Sequence, residues 1–325
     1  MGLLDLTPHK VSKDLRGYSV LFYGEIKSGK TTTASKFPNA LLLAFEKGYS
    51  ALAGVYAQPI NSWSDFLKTL RELKEANVQE KFETIIIDTA DIAYEYCEQY
   101  ICNVEGVDAI NKIPFGQGFT KSGKEFDQRL RSIVQMGYGL VLISHSADKT
   151  YQNEDGTEYN KIVPTMPNKA RLITSRMCDI IGYSRIVETE AGNKTFLFMR
   201  GTPRFEAGSR FKYTPDRIEF SYDNLVDAIV GAIEKQSEED GGEYITDSRE
   251  NLYINREEAV DFDTLMTEFK ELTGVLIEKN MAYYAPRITE IVDRHLGKGK
   301  KVSDCSRDQV QLVDIIISEI KEIKE

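Results

Sequence analysis

Residues 24–31 read GEIKSGKT, two glycines, a lysine and a threonine at the spacing G-x-x-x-x-G-K-[ST]. Glycines at those places let backbone N–H groups close around phosphate oxygens. Lys30 supplies a cation for the β- and γ-phosphates of a nucleotide, and the Thr31 hydroxyl is a ligand for Mg²⁺. The loop comprises Gly24, Glu25, Ile26, Lys27, Ser28 and Gly29, with Thr32 following the two ligand-reaching side chains. A surface Gly-Lys turn can share these letters. Here an apolar run, YSVLFY (18–23), precedes the loop and a helical run, KTTTASKF, follows it. That context makes the stretch a nucleotide-binding P-loop, with ATP and Mg²⁺ as the expected ligands.

Two carboxylates end apolar runs nearby in sequence. TIIIDTAD (84–91) places Asp88 after three isoleucines, where a strand end beside the loop could hold the metal. Asp88 could instead cap the helix that starts near Asp91, but Asp91 can fill that place itself. LLLAFEKGYS (41–50) places Glu46 at the end of a second buried run. A strand carrying it could lie next to the P-loop strand, its carboxylate deprotonating an attacking water. The rival reading makes Glu46 the N-cap of a helix through KGYSALAG.

The elements that position these groups alternate. Strands are expected at 18–23, 40–45, 83–88 and 138–144, separated by helical patterns at 62–75, 91–102 and 122–136. Near-continuous apolar strands between helices imply an α/β fold with a mostly parallel sheet covered on both faces. From 149 the pattern changes to hairpins, one around Asp155-Gly156 and one joining 179–187 to 194–200, followed by a helix from Ser221 to about 236. Residues 237–260 read as an acidic linker. Three amphipathic helices, near 261–279, 282–296 and 306–324, would form a small C-terminal domain, with Ser306 and Gln309 as a capping box. The domains are thus 1–236, 237–260 as linker, and 261–325.

In order and spacing, GEIKSGKT, ALLLAFEKGYSAL, TIIIDTAD and GLVLISHS resemble the core of RecA-fold ATPases. The resemblance implies Glu46 as catalytic base, Asp88 as Walker B aspartate, and Ser144 or His145 as a polar sensor of the γ-phosphate. More narrowly the chain is similar to phage-encoded Sak-type single-strand annealing proteins with a RecA-like core. The early P-loop and the basic segment FLFMRGTPRFEAGSRF (196–211) carry that likeness. It implies an ATPase, stimulated by single-stranded DNA, that forms homo-oligomers or filaments and works in recombination. Two rivals stay open: a nucleotide-switched annealing scaffold without significant hydrolysis, and an ATPase that loads or remodels a replication protein.

Two segments could contact DNA. Residues 111–124, NKIPFGQGFTKSGK, interleave Lys112, Lys121 and Lys124 with Phe115 and Phe119. Cations for phosphates and rings for stacking suit a sequence-tolerant single-strand binder, although an ordinary solvated loop reads similarly. Residues 147–169 add Lys149, Lys161 and Lys169 among four acidic residues. Arg200, Arg204 and Arg210 are candidates for a finger reaching a neighbouring subunit's γ-phosphate, or for surface ion pairs.

The net charge of −10 sits in the tail. Residues 236–325 hold twelve basic against twenty-one acidic side chains, and residues 1–235 hold 29 against 30. The body is near neutral, so local basic patches remain compatible with nucleic acid, while the acidic helices suit a protein partner such as a single-strand-binding or replication protein. No apolar run has the length of a membrane span, and four scattered cysteines with three histidines give neither a disulfide framework nor a zinc site. The expected place is a reducing cytoplasm, that of a bacterial host for a phage protein.

Overall fold

Ser19, Leu21 and Tyr23 alternate with Val20 and Phe22 along a strand buried on both faces, and this strand is the middle of a ten-stranded mixed sheet. The computed structural model describes residues 8–239, 241–242, 244–248 and 262–323. In chain order the first part contains β1 (Val11–Ser12), β2 (Ser19–Gly24), α1 (Lys30–Ala34), β3 (Ala40–Ala44), β4 (Tyr56–Pro59), α2 (Trp63–Glu72) and α3 (Ala76–Lys81). There follow β5 (Thr84–Asp88), α4 (Ala90–Glu105), α5 (Gln117–Gln135), β6 (Gly139–Gln152), β7 (Glu158–Pro164) and α6 (Asn168–Met177). The part closes with β8 (Ile180–Thr189), β9 (Gly192–Phe198), β10 (Gly208–Ser209), β11 (Arg217–Glu219), α7 (Tyr222–Glu239) and β12 (Ile245–Thr246).

The sheet order is β11-β9-β8-β2-β6-β5-β3-β4, parallel from β8 to β4, with β7 on β6 and β10 on β8 added antiparallel. The period of two sorts the strand residues onto two cores. Leu21, Ile85, Ile87, Leu140 and Leu142 pack with α2, α4 and α5 through Phe66, Tyr94 and Phe126. Val20, Phe22, Ile86, Val141 and Ile143 pack on the other face with Phe37 and with Leu225, Ile229 and Ile233 of α7. This is the α/β architecture expected from the sequence.

Three expectations change. The strand before Glu46 is not beside the P-loop strand, because β6 and β5 lie between β2 and β3. The separate strands expected at 138–144 and after 149 are one, β6, whose second half pairs with β7 from Ser146↔Pro164 to Gln152↔Glu158. The first unit also does not stop at 236. α7 runs to Glu239, and β12 pairs in parallel with β1, with Ser12 donating to the Ser248 carbonyl at 2.9 Å. Residues 249–260 of the expected linker lie outside the described residues.

The second unit holds α8 (Phe262–Leu296) and α9 (Val310–Lys321). Asn280, at φ −160° and ψ 88°, interrupts α8, and its side chain accepts the Tyr283 N–H, so two helices stand where two were expected. The Ser306–Gln309 capping box forms just before α9. Leu265, Ile288, Ile291, Val292, Val313, Ile316, Ile317 and Ile320 form the core, joined by Tyr284 and Val302. Among the described residues no helix is long and apolar enough to cross a membrane.

Candidate nucleotide site

The P-loop leaves β2 and turns into α1 through a backbone that alternates handedness. Lys27 (φ 62°) and Gly29 (φ 80°) are left-handed, the kind of turn that points successive N–H groups into one concavity. Gly24 has a second constraint. At φ +147° it lies so close to β8 that a Cβ would sit 2.0 Å from the Ser184 carbonyl oxygen. Ser184 also holds the loop by its side chain, its Oγ 2.7 Å from the buried Ser28 Oγ. On the same strand Arg185 lies 3.8 Å from the Glu25 carboxylate, which also accepts the Ile186 N–H. Neither Ser184 nor Arg185 stood out in the sequence, since a lone serine or arginine late in a strand carries no spacing signal. Ile26 at the loop tip and Thr32 on α1 are exposed.

Lys30 is 5% exposed and donates to the carbonyls of Gly24 at 3.1 Å and Glu25 at 2.6 Å. Burial pulls its pKa down, opposed by Asp88, Glu46 and Asp91. A buried ammonium satisfied by two loop carbonyls is poised to exchange them for phosphate oxygens.

Thr31 Oγ1 donates to Asp88 Oδ2 at 2.7 Å, which joins the two expected metal-side residues directly. Asp88 is 1% exposed, and burial raises its pKa to about 6, against the Thr31 hydrogen bond that lowers it. Its other oxygen, Oδ1, is buried without a hydrogen-bond partner among the described residues, as is His145 Nδ1. A buried, unpaired carboxylate oxygen beside a threonine hydroxyl is a donor set that fits a hard divalent cation. Among the described residues no group of three or more His, Cys, Asp or Glu side chains could hold a metal by itself. The donor set therefore suits a cation that brings phosphate oxygens with it.

Glu46 reaches this place although two strands separate β3 from β2. The N–H groups of Phe45 and Glu46 both bond the Asp88 carbonyl, at 2.7 and 3.3 Å, and fold the chain over the carboxyl edge of β5. A Cβ built on Gly48 would touch Asp88 Oδ2 and Glu46 Oε1 at 3.6 Å and Thr31 Oγ1 at 3.9 Å. Three oxygens thus line one small space. Residues 47–54 form turns, so no helix exists for Glu46 to cap.

His145 Nε2 is 3.6 Å from Glu46 Oε2. The contact raises the imidazole pKa and holds the carboxyl below its usual range, two consistent directions. Ser144, the other sensor candidate, is fully buried and donates to Asp91 Oδ1 at 2.8 Å. Asp91 also accepts from Thr165 Oγ1 and the His145 N–H. Asp91 is therefore not the helix cap expected; it ties the first turn of α4 to the point where β6 leaves the sheet.

The basic side chains divide. Lys112 is 2.6 Å from Asp108 and Lys121 is 2.6 Å from Glu105, and the segment expected as a flexible loop is two 3₁₀ turns followed by the start of α5. Phe115 is 98% exposed at φ 59°, and Phe119 is exposed on α5. Lys124 is exposed, and the Lys169 stem crosses α5 where a Gly123 Cβ would stand. That contact makes the two expected DNA segments neighbours, and within the second of them Lys149 donates to Asn168. Lys161 lies 3.7 Å from Glu206. Arg200 donates to the Thr214 and Lys212 carbonyls, and Arg210 pairs with Asp179 at 3.2 Å. Arg200 thus holds its own loop, and Arg210 holds the junction of α6 and β8. The guanidinium of Arg204 is exposed and has no partner among the described residues.

A family model described as an AAA domain matches residues 16–211. The SPbeta prophage-derived uncharacterized protein YorG of Bacillus subtilis (strain 168) is 31% identical over 325 residues, which covers 96% of this chain and 95% of that protein. The KaiC-like protein PH0186 from Pyrococcus horikoshii OT3 aligns over 65% of this chain and 99% of its own, at 12% identity and a TM-score of 0.34. With the P-loop, the Thr31–Asp88 pair and the strand-end carboxylate inside the matched span, the chain belongs to the AAA-domain family of P-loop ATPases.

Proposed function

We propose that this protein hydrolyses ATP with Mg²⁺, slowly, as a RecA-like ATPase acting on single-stranded DNA in phage recombination, by annealing or strand pairing. The observation that carries the hydrolytic part is the meeting of Thr31, Asp88 and Glu46 around Gly48. Thr31 and Asp88 are the residues that would hold Mg²⁺, whose charge offsets that of the phosphates. Lys30 leaves its two carbonyls for phosphate oxygens. Glu46, whose carboxyl His145 holds below its usual range, accepts the proton of the attacking water. His145 competes for the same carboxylate and so tunes it.

The DNA reading is supported by the exposed rings of Phe115 and Phe119, the exposed Lys124, and Lys169, whose stem packs against Gly123 and whose neighbour Asn168 accepts from Lys149. The prophage origin of a full-length relative fits a phage setting in the bacterial cytoplasm. Arg204 is the cation available for a neighbouring subunit's phosphate in a homo-oligomer. The test is steady-state ATPase activity with and without single-stranded DNA. Hydrolysis that needs Glu46 and rises with DNA supports the proposal. ATP binding without turnover would replace it with the nucleotide-switched scaffold.

A further inference from the structure

The second unit carries a groove of about 480 Å³ between the two halves of α8 and the loop that follows it. Met266, Phe269, Ile288, Val292 and Val302 make an apolar floor. Lys270, Lys300 and Lys301 stand on its rim, all exposed. Three other basic groups of this unit are ion-paired: Lys321 lies 2.6 Å from Glu268, Arg307 2.7 Å from Asp263, and Arg294 3.0 Å from Glu319. The three rim lysines meet no carboxylate in an ion pair among the described residues. Asp293 also lines the groove, but one of its oxygens accepts the Gly299 N–H at 2.9 Å. That bond and the left-handed Gly297 and Gly299 fix the loop that presents Lys300 and Lys301.

We propose that this groove docks a short acidic segment of a partner protein, with an apolar side chain on the floor and carboxylates against the three lysines. Uncompensated cations around an apolar floor, in a region with twelve basic and twenty-one acidic residues, favour a ligand that is both anionic and apolar. A long polyanion such as nucleic acid meets the rest of that negative surface and is repelled by it. A peptide of a few residues meets only the rim.

The test uses the full-length protein and a fluorescein-labelled octapeptide of four aspartates followed by Pro-Leu-Gly-Phe, with binding followed by anisotropy. The expected result is saturable binding that weakens with salt and is lost when the aspartates become asparagines. Lys270→Ala/Lys300→Ala/Lys301→Ala should weaken it about tenfold or more, since each exposed pair contributes modestly and three act together. These side chains are exposed, so the variant's melting curve should match the parent's. No binding, equal binding of the asparagine peptide, or an unaffected triple variant overturns the proposal. So does loss of single-stranded oligonucleotide binding in the triple variant with peptide binding retained.

Discussion

Replacing Asp88 by asparagine separates what the carboxylate does for the ligand from what it does to the fold. The amide oxygen can still accept from Thr31, so the local packing is kept. What disappears is a buried charge. The carboxyl pKa stands at about 6 in the fold against an ordinary 3.8. Between those values the native state holds a proton that the unfolded chain has released, so stability falls as pH rises through that window. Above it the ionised carboxylate costs about 3 kcal/mol, and at pH 5 roughly half of that. Asp88→Asn should therefore stabilise the ligand-free protein by up to about 3 kcal/mol at pH 7.5, a rise of about 6–12 °C in Tm for a unit of this size. The gain should shrink as pH falls toward 4. Thermal melts in EDTA from pH 5 to 8 read this directly. With Mg²⁺ and ATP at about a hundred times Kd the parent should recover about 2.7 kcal/mol, and the variant less. A variant no more stable than the parent, or a difference that ignores pH, would refute the assignment of Asp88 as a destabilised ligand residue.

Glu46→Gln keeps the shape and removes the basicity; ATP binding by calorimetry should persist while turnover falls about 10²–10⁴-fold. The attraction between His145 and Glu46 is present below the ordinary histidine value of 6.5 and fades as pH rises through the raised one, so kcat should climb with pH there. His145→Gln should flatten that profile, and an unchanged profile would separate the pair from catalysis. Lys124→Ala/Lys149→Ala/Lys169→Ala should weaken single-strand binding and lower its salt slope by about 2–3, whereas Lys112→Ala/Lys121→Ala should do less because both are ion-paired. A chain ended after Ser248 should still bind ATP. One ended at 236 loses β12 and the Glu239 contacts of Lys212 and Tyr213, and should melt lower by circular dichroism.

The parts of the site legible in the sequence were those with a local signature. The P-loop glycines and Lys30 have fixed spacing, and Asp88 and Glu46 each end an apolar run that must be a buried strand. Sheet order has no such signature. The position of β6 between β2 and β5 is set by which strands bury each other, and the sequence says little of that. Ser184 and Asp91 were missed as site-shaping residues for the same reason, because their partners Ser28 and Ser144 are 156 and 53 residues away. Lys112 and Lys121 were expected on DNA phosphates because a chain of letters does not show that Asp108 and Glu105 meet them. The tail helices were legible because their apolar spacing is local, and Tyr284 and Val302 joined the core from outside that pattern.

β6 is one strand from the middle of the sheet to the end of the hairpin, with neither glycine nor proline between His145 and Gln152. A strand of that kind has no joint. Seven residues at about 3.4 Å each make an arm of about 24 Å beyond His145. Turning the arm by about 5° at its root would sweep its far end through about 2 Å, a displacement the size of a bond rearrangement. Because β7 is laced to it over seven residue pairs, both strands would move as a single beam. A hairpin of this kind would turn an angle at its root into distance at its tip, with a gain set by its length.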